Sequence, residues 1–474
     1  MILKSLEKEI IQGGMGVGVS NYKLAKEVSK LGQLGIVSGV ALEAVMTRRL
    51  QNGDPTGEVR SALKQFYDEY FSEWIIDTYF IPGGKKPNVK YKRTPFPKFK
   101  LNKDNSLSLT DEKLTKLIVA ANFVEVYLAK RGHDNPVGIN YLYKVRYAMM
   151  PAMFGAMLAG ANALLIGAGF AKEIPDALTA ISENNKATLP IPIVGDKDQK
   201  LLFDPGKLFR NKNLRRPAFI GILSNHMGLR ALPNADAYVF EGPTAGGHNA
   251  PARSKLLNAL GEPEYGIKDD MDYGLLKMLL EQNAEKFGSI QPYWFAGGYA
   301  GRLREAQEHG AVGVQVGTPF AFSQESGIDP TLKLKILKQI MDGGTVFTSP
   351  DASSSGFPFK LFQSQDTLTN PDLYNKRKRV CDLGYLIELY DRKGATRCPS
   401  ENISSYIKKG GFEKDTINKV CLCNGLPATV GLGSPGEMPI VTAGSDLSLV
   451  KILVTKYGLN YSAKNVIDYI LAKE

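Results

Sequence analysis

The run Tyr293-Trp294-Phe295-Ala296-Gly297-Gly298-Tyr299-Ala300-Gly301 is answered, after one helix-length segment, by Gly313-Val314-Gln315-Val316-Gly317-Thr318. Each half is an apolar strand ending in glycine, and Arg302 to His309 between them reads as a helix starting at the first turn. Glycines leave backbone N–H groups free of side-chain cover, and a helix N-terminus adds partial positive charge. Glycine turns after two successive strands, the seventh and eighth, are how a (β/α)8 barrel builds a phosphate site. The stretch predicts a barrel that holds a phosphorylated ligand or cofactor.

The rest of the chain supplies the remaining strands. Apolar runs occur at Ile10–Gln12, Leu34–Val40, Val137–Asn140, Ala163–Gly167, Phe219–Leu223 and Ala237–Phe240, which with the two above make eight. They do not alternate and are rich in Val, Ile and Leu, as suits strands buried on both faces of a parallel sheet. Helical patterns at Tyr22–Leu31, Leu114–Lys130, Val145–Ala159, Ile174–Asn184, Gly274–Lys286 and Arg302–Glu308 separate most of them. The expected class is α/β, a (β/α)8 TIM barrel over residues 1–335. Two excursions interrupt it, at about 52–112 after the second strand and at 186–217. A C-terminal α+β extension, 336–474, ends in a helix at Ala463–Lys473.

Composition narrows the class. Of the 474 residues, 43% are hydrophobic and 23% charged, an ordinary globular balance. No signal peptide is read at the N-terminus, and four cysteines suggest reduced thiols rather than a disulfide scaffold, so a cytoplasmic protein is expected. Tyr147 to Phe170 lacks charge and is long enough to span a bilayer, but Pro151, Gly155, Gly160, Asn162, Gly167 and Gly169 interrupt it. A buried helix followed by a buried strand fits better, and no membrane association is expected. Much of the net charge of +11 lies between Phe80 and Lys103, where Lys85, Lys86, Lys90, Lys92, Arg93, Lys98, Lys100 and Lys103 meet no acid. With no nucleic-acid-binding motif around it, the stretch reads as a solvated excursion, with docking of an acidic partner as the minor alternative.

The candidate site residues sit after strands. Gln12-Gly13-Gly14-Met15-Gly16 has neither the G-x-G-x-x-G spacing nor the acid that a Rossmann site needs. Its glycines would instead let a flat ring approach backbone, with Met15 as an adaptable apolar contact. Glu241-Gly242-Pro243-Thr244-Ala245-Gly246-Gly247-His248 follows the sixth strand. His248 is placed where barrel enzymes put catalytic groups, and imidazole can take a proton near neutrality. His226 could face the site or be incidental beside a capping Ser224 or Asn225; His133 and His309 end helices and read as structural. Asn140 offers an amide to a heterocycle edge or caps its strand. Cys381, Cys398, Cys421 and Cys423 could hold zinc, but the C-x-C spacing points to free buried thiols and no metal.

Taken together, Gln12-Gly13-Gly14-Met15-Gly16, Gly138-Ile139-Asn140, Ala245-Gly246-Gly247-His248, Ala296-Gly297-Gly298 and Gln315-Val316-Gly317-Thr318 resemble the nitronate monooxygenase (2-nitropropane dioxygenase) family. The resemblance covers roughly residues 8–325. It implies FMN held non-covalently, the phosphate on Gly297, Gly298, Gly317 and Thr318 and the ring near Gly13, Gly14, Met15 and Asn140. Gly246, Gly247 and Gln315 join that set, and His248 is implied as the base. The implied reaction oxidises a nitronate or nitroalkane with O2 to a carbonyl product and nitrite. The alternative is an FMN-dependent enoyl-thioester reductase using NAD(P)H; a flavin-binding barrel without turnover is a third reading. An inosinate-dehydrogenase type needs a barrel-loop cysteine, and no cysteine precedes Cys381. Use of NAD(P)H and assembly as a homodimer stay open.

Overall fold

The computed structural model describes residues 2–196, 198–209 and 214–472. Eight parallel strands, labelled here in chain order, form one sheet: β1 (Ile10–Gln12), β2 (Gly35–Ser38), β3 (Val137–Leu142), β4 (Ala163–Gly167), β5 (Ala218–Leu223), β6 (Ala237–Glu241), β7 (Tyr293–Ala296) and β8 (Gly313–Val316). Each pairs with its sequence neighbour, and β8 returns to β1 through Ile10↔Val314. A parallel bridge between Ile11 and Leu34 links β1 to the start of β2 and closes the ring. The fold is the expected (β/α)8 barrel.

Alternation along these short strands sorts side chains into two packed layers. Ile11, Ile36, Leu165, Ile220, Val239 and Trp294 fill the barrel interior. Ile10, Val37, Leu164, Phe219, Tyr238, Phe295 and Val314 point outward and pack under the helices. The Trp294 indole donates to the Lys8 carbonyl at 2.7 Å, closing the N-terminal end. With the interior filled, the free space lies at the C-terminal ends of the strands.

The expected helices are present with ends moved by one or two residues. The uncharged stretch 147–170 divides into the helix Arg146–Leu158 and strand β4, and no helix among the described residues is long and apolar enough to cross a membrane. Gly155 in that helix allows close packing, because a Cβ there would stand 2.2 Å from the Val119 carbonyl oxygen of the neighbouring helix Glu112–Lys130. The helix Leu42–Gln51 was not anticipated. Its Arg48 and Arg49 are turned inward, to the Leu432 carbonyl at 2.6 Å and the Glu125 carboxylate at 2.5 Å, which hides the amphipathic pattern.

The two excursions meet. Phe99–Leu101 and Leu107–Leu109 from the first join Lys200–Phe203 and Ala187–Pro190 from the second in a four-stranded sheet. Lys197 and residues 210–213 of the second excursion lie outside the described residues. Beyond β8 come a hairpin (Val346–Ser349 with Phe359–Phe362) and the helices Leu422–Thr429, Ser448–Tyr457 and Ala463–Leu471. Lys473, the expected end of the last helix, is outside the described residues. Phe359, Ile440, Val441, Leu453 and Ile467 share one apolar core with the outer face of the barrel.

Candidate functional site

A cavity of about 440 Å³ opens at the C-terminal ends of the strands, and His248 and the residues expected to hold FMN line it. Gly13, Gly14 and Met15 follow β1, and Asn140 lies in β3. Gly246, Gly247 and His248 follow β6, Gly297 and Gly298 follow β7, and Gln315, Gly317 and Thr318 belong to β8 and its turn. Residues up to 305 positions apart in sequence converge because consecutive strand ends are neighbours in a barrel.

The glycines divide into two kinds. At Gly14 a Cβ would fall 2.1 Å from Asn140 Cβ, at Gly297 2.5 Å from the Gly242 oxygen, and at Gly246 2.8 Å from the Ala443 carbonyl carbon. Those positions are glycine so that chain segments can touch. Gly247 has open space where its side chain would be, and at Gly317 only Met15 comes near, its Sδ at 3.7 Å. These two, with Gly298 at φ +86°, leave bare backbone facing the cavity. Gln12 and Ser20 hold the first glycine turn: Gln12 Nε2 donates to Ser20 Oγ at 2.8 Å, and Ser20 Oγ donates to the Gly13 carbonyl at 2.8 Å.

His248 is held from two sides. Its ring packs edge-on against Phe359 at 4.8 Å, and Nε2 lies 2.7 Å from Ser353 Oγ. Ser353 Oγ donates its own proton to Ser355 Oγ at 2.8 Å, so it accepts from Nε2–H, and the ring's basic lone pair is on Nδ1. Burial first, and the nearby Lys144 ammonium second, push the His248 pKa down to about 4. The imidazole is therefore neutral at pH 7, as a proton acceptor must be. Lys144, just past β3, stands 4.7 Å over the Phe357 ring; burial first, then Arg146, lowers its pKa.

Two site residues escaped the sequence reading. Glu241, the last residue of β6, lines the cavity with no hydrogen-bond or ion-pair partner for its carboxyl among the described residues, and burial raises its pKa to about 7. An acid at a strand end directly before a glycine turn was the available signal. Ser353 lies in the extension, 105 residues from His248, and nothing local marked it. Thr442, Ala443 and Gly444 also line the cavity: Gly247 N–H donates to Thr442 Oγ1 and Gly444 N–H to Thr318 Oγ1, both at 2.8 Å.

His226 is not in the lining. Its Nδ1 accepts from the Asp272 N–H at 3.2 Å, while Asn225 Oδ1 accepts from Met227 N–H at 3.1 Å, so the structural alternative holds for both. His309 stacks on Tyr273 at 3.6 Å, and His133 Nε2 meets the Ala129 carbonyl at 2.8 Å.

No protein-family model matches the chain, and no curated protein sequence is similar to it. Solved structures of similar shape do exist. FabK from Thermotoga maritima is 16% identical over 100% of this chain and 94% of that one, with a TM-score of 0.48. Nitroalkane oxidase from Streptomyces ansochromogenes is 13% identical over 100% of this chain and 97% of that one, with a TM-score of 0.41. The enoyl reductase domain of MlnA from Bacillus amyloliquefaciens is 11% identical over 99% of this chain and 94% of that one, with a TM-score of 0.50. At that identity the last likeness is one of fold, and it agrees with the barrel.

Proposed function

We propose that this chain is an FMN-dependent oxidoreductase that oxidises nitronates or nitroalkanes with O2, giving a carbonyl product and nitrite, with His248 as the base. The observation that carries the reading is the His248 imidazole, hydrogen-bonded to Ser353, in a cavity walled by glycine backbone. The residues suit a flavin. Among the described residues the Gln315 Oε1 atom is buried without a partner, and the open faces of Gly247 and Gly317 admit a ligand against backbone. Gly298, Gly317 and Thr318 would hold the phosphate, Gly13, Gly14, Met15 and Asn140 the ring, and Glu241 offers an acceptor to a hydroxyl-bearing chain. Bound FMN would supply the electron acceptor. His248 takes the α-proton of a nitroalkane at Nδ1, and Ser353 keeps the ring oriented.

One observation favours a second reading. Glu241 lines the cavity, and burial biases its carboxyl toward the neutral form that can deliver a proton to carbon. An enoyl-thioester reductase using NAD(P)H needs such a donor, and the basic first excursion would suit an acidic carrier. Purified protein should be yellow and release FMN on denaturation. Nitrite formed from nitronate and O2, with no NAD(P)H oxidation on an enoyl thioester, supports the first reading; the reverse pattern selects the second. Colourless protein that does not bind added FMN would overturn both.

A further inference from the structure

Among the described residues, the cavity wall contains a single arginine and no lysine. That arginine, Arg302, stands beside the turn expected to hold a phosphate. With Tyr299, Ala300 and Gly301 it continues the wall from Gly297 and Gly298. Arg302 N–H donates to the Tyr299 carbonyl at 3.0 Å, so the chain folds back tightly there. Strands β7 and β8 pair with Ala296 opposite Gln315, which sets the Gly317-Thr318 turn next to this bend. The acids in the wall are Glu241 and Asp446, and Asp446 Oδ1 accepts from Ser448 N–H at 2.9 Å.

Bare backbone offers a phosphate N–H dipoles but no full counter-charge. A phosphate monoester carries a charge of about −1.5 to −2 at pH 7. Taking such a charge out of water without an opposite one is costly. A guanidinium answers it with two parallel N–H donors, and Arg302 is the side chain in this wall that has them.

Arg302 already grips a carboxylate in that manner. Its Nε donates to Glu305 Oε2 at 2.5 Å, and its Nη2 donates to Glu305 Oε1. The two side chains are 48% and 36% exposed, so water screens the pair and it adds little to stability. The platform under the guanidinium is fixed by contrast. Tyr299 is buried, its ring centre lies 4.7 Å from the guanidinium carbon, and the ring stacks on Phe295 at 5.1 Å. Its hydroxyl is 2.5 Å from that of Tyr273. Arg302 therefore combines a firm base with a partner it can give up.

We propose, resting on the flavin reading above, that Arg302 is the charge partner of the cofactor's phosphate and that Glu305 is the stand-in for it. The guanidinium holds Glu305 in the flavin-free protein and leaves it when it turns to the phosphate. It is paired in both states, and the exchange makes the protein select FMN over riboflavin, which lacks the phosphate.

Full-length protein freed of flavin by dialysis, titrated with FMN or with riboflavin and followed by flavin fluorescence, tests this without turnover. Wild type should bind FMN at least about tenfold more tightly than riboflavin. Arg302→Ala should weaken FMN by about 10- to 100-fold and leave riboflavin within about twofold, and Arg302→Lys should recover part of the loss. Glu305→Gln should tighten FMN by about two- to fivefold, with riboflavin unchanged. Unchanged FMN affinity in Arg302→Ala, or equal losses for FMN and riboflavin, would overturn the proposal and leave the flavin reading standing. Weaker FMN binding by Glu305→Gln would overturn the exchange. Wild-type protein that binds neither flavin would overturn both readings.

Discussion

His248 couples the chemistry of the site to the stability of the protein. Its folded pKa of about 4 lies below the ordinary histidine value, so the folded state favours the neutral ring. That contribution is complete above the unfolded pKa and is lost as pH falls from about 6.5 toward 4. Between pH 7 and pH 5 the loss should be about 2 kcal/mol, read as a lower urea midpoint, and His248→Gln should remove that pH dependence. On the proposed reading Ser353 positions the base, and Ser353→Ala should lower kcat by about 10- to 100-fold while FMN stays bound. It should also move the acid limb of the pH–rate profile to lower pH, since Ser353 Oγ accepts from Nε2–H and favours the protonated ring. A structural role alone would leave that limb in place. Much of this set was legible in sequence, because glycines and a histidine after apolar runs have few other reasons to occur there. Glu241 was passed over as part of its turn, and Ser353 is joined to the site by a contact that local sequence does not encode.

Turns and helix contacts make separate demands on glycine. Gly298 has φ +86° and an open face toward the cavity, with only Thr244 Oγ1 as near as 3.2 Å to an added Cβ. Gly298→Asp should therefore yield folded but colourless protein, shown by an unchanged far-UV circular dichroism spectrum without flavin absorbance. Gly155 faces the Val119 carbonyl instead, and Gly155→Ala should cost about 1–3 kcal/mol by denaturant titration with little change in FMN affinity. The barrel strands were readable because burial on both faces removes polar residues from them. The helix Leu42–Gln51 was not, since its inward-facing arginines find partners only after Leu432 and Glu125 have arrived. The sheet shared by the two excursions was hidden for the same reason: Leu107 pairs with Leu201, a register that no local pattern specifies.

The apolar core runs without a break from the barrel helices into the segment after residue 335. A chain cut at 335 would expose Phe320, Phe322 and Leu332, which pack within that core. Truncation should give aggregated protein with no cooperative thermal transition, and a sharp calorimetric peak from residues 1–335 would contradict this. The cavity wall shows the same dependence at short range. Ala443 lies against Gly246, and Thr442 and Gly444 bond the turns of β6 and β8, so one rim of the pocket is supplied some 200 residues after His248. On the ribosome all eight barrel strands emerge well before that rim exists. The pocket is therefore complete only once the C-terminal third has been synthesised and docked.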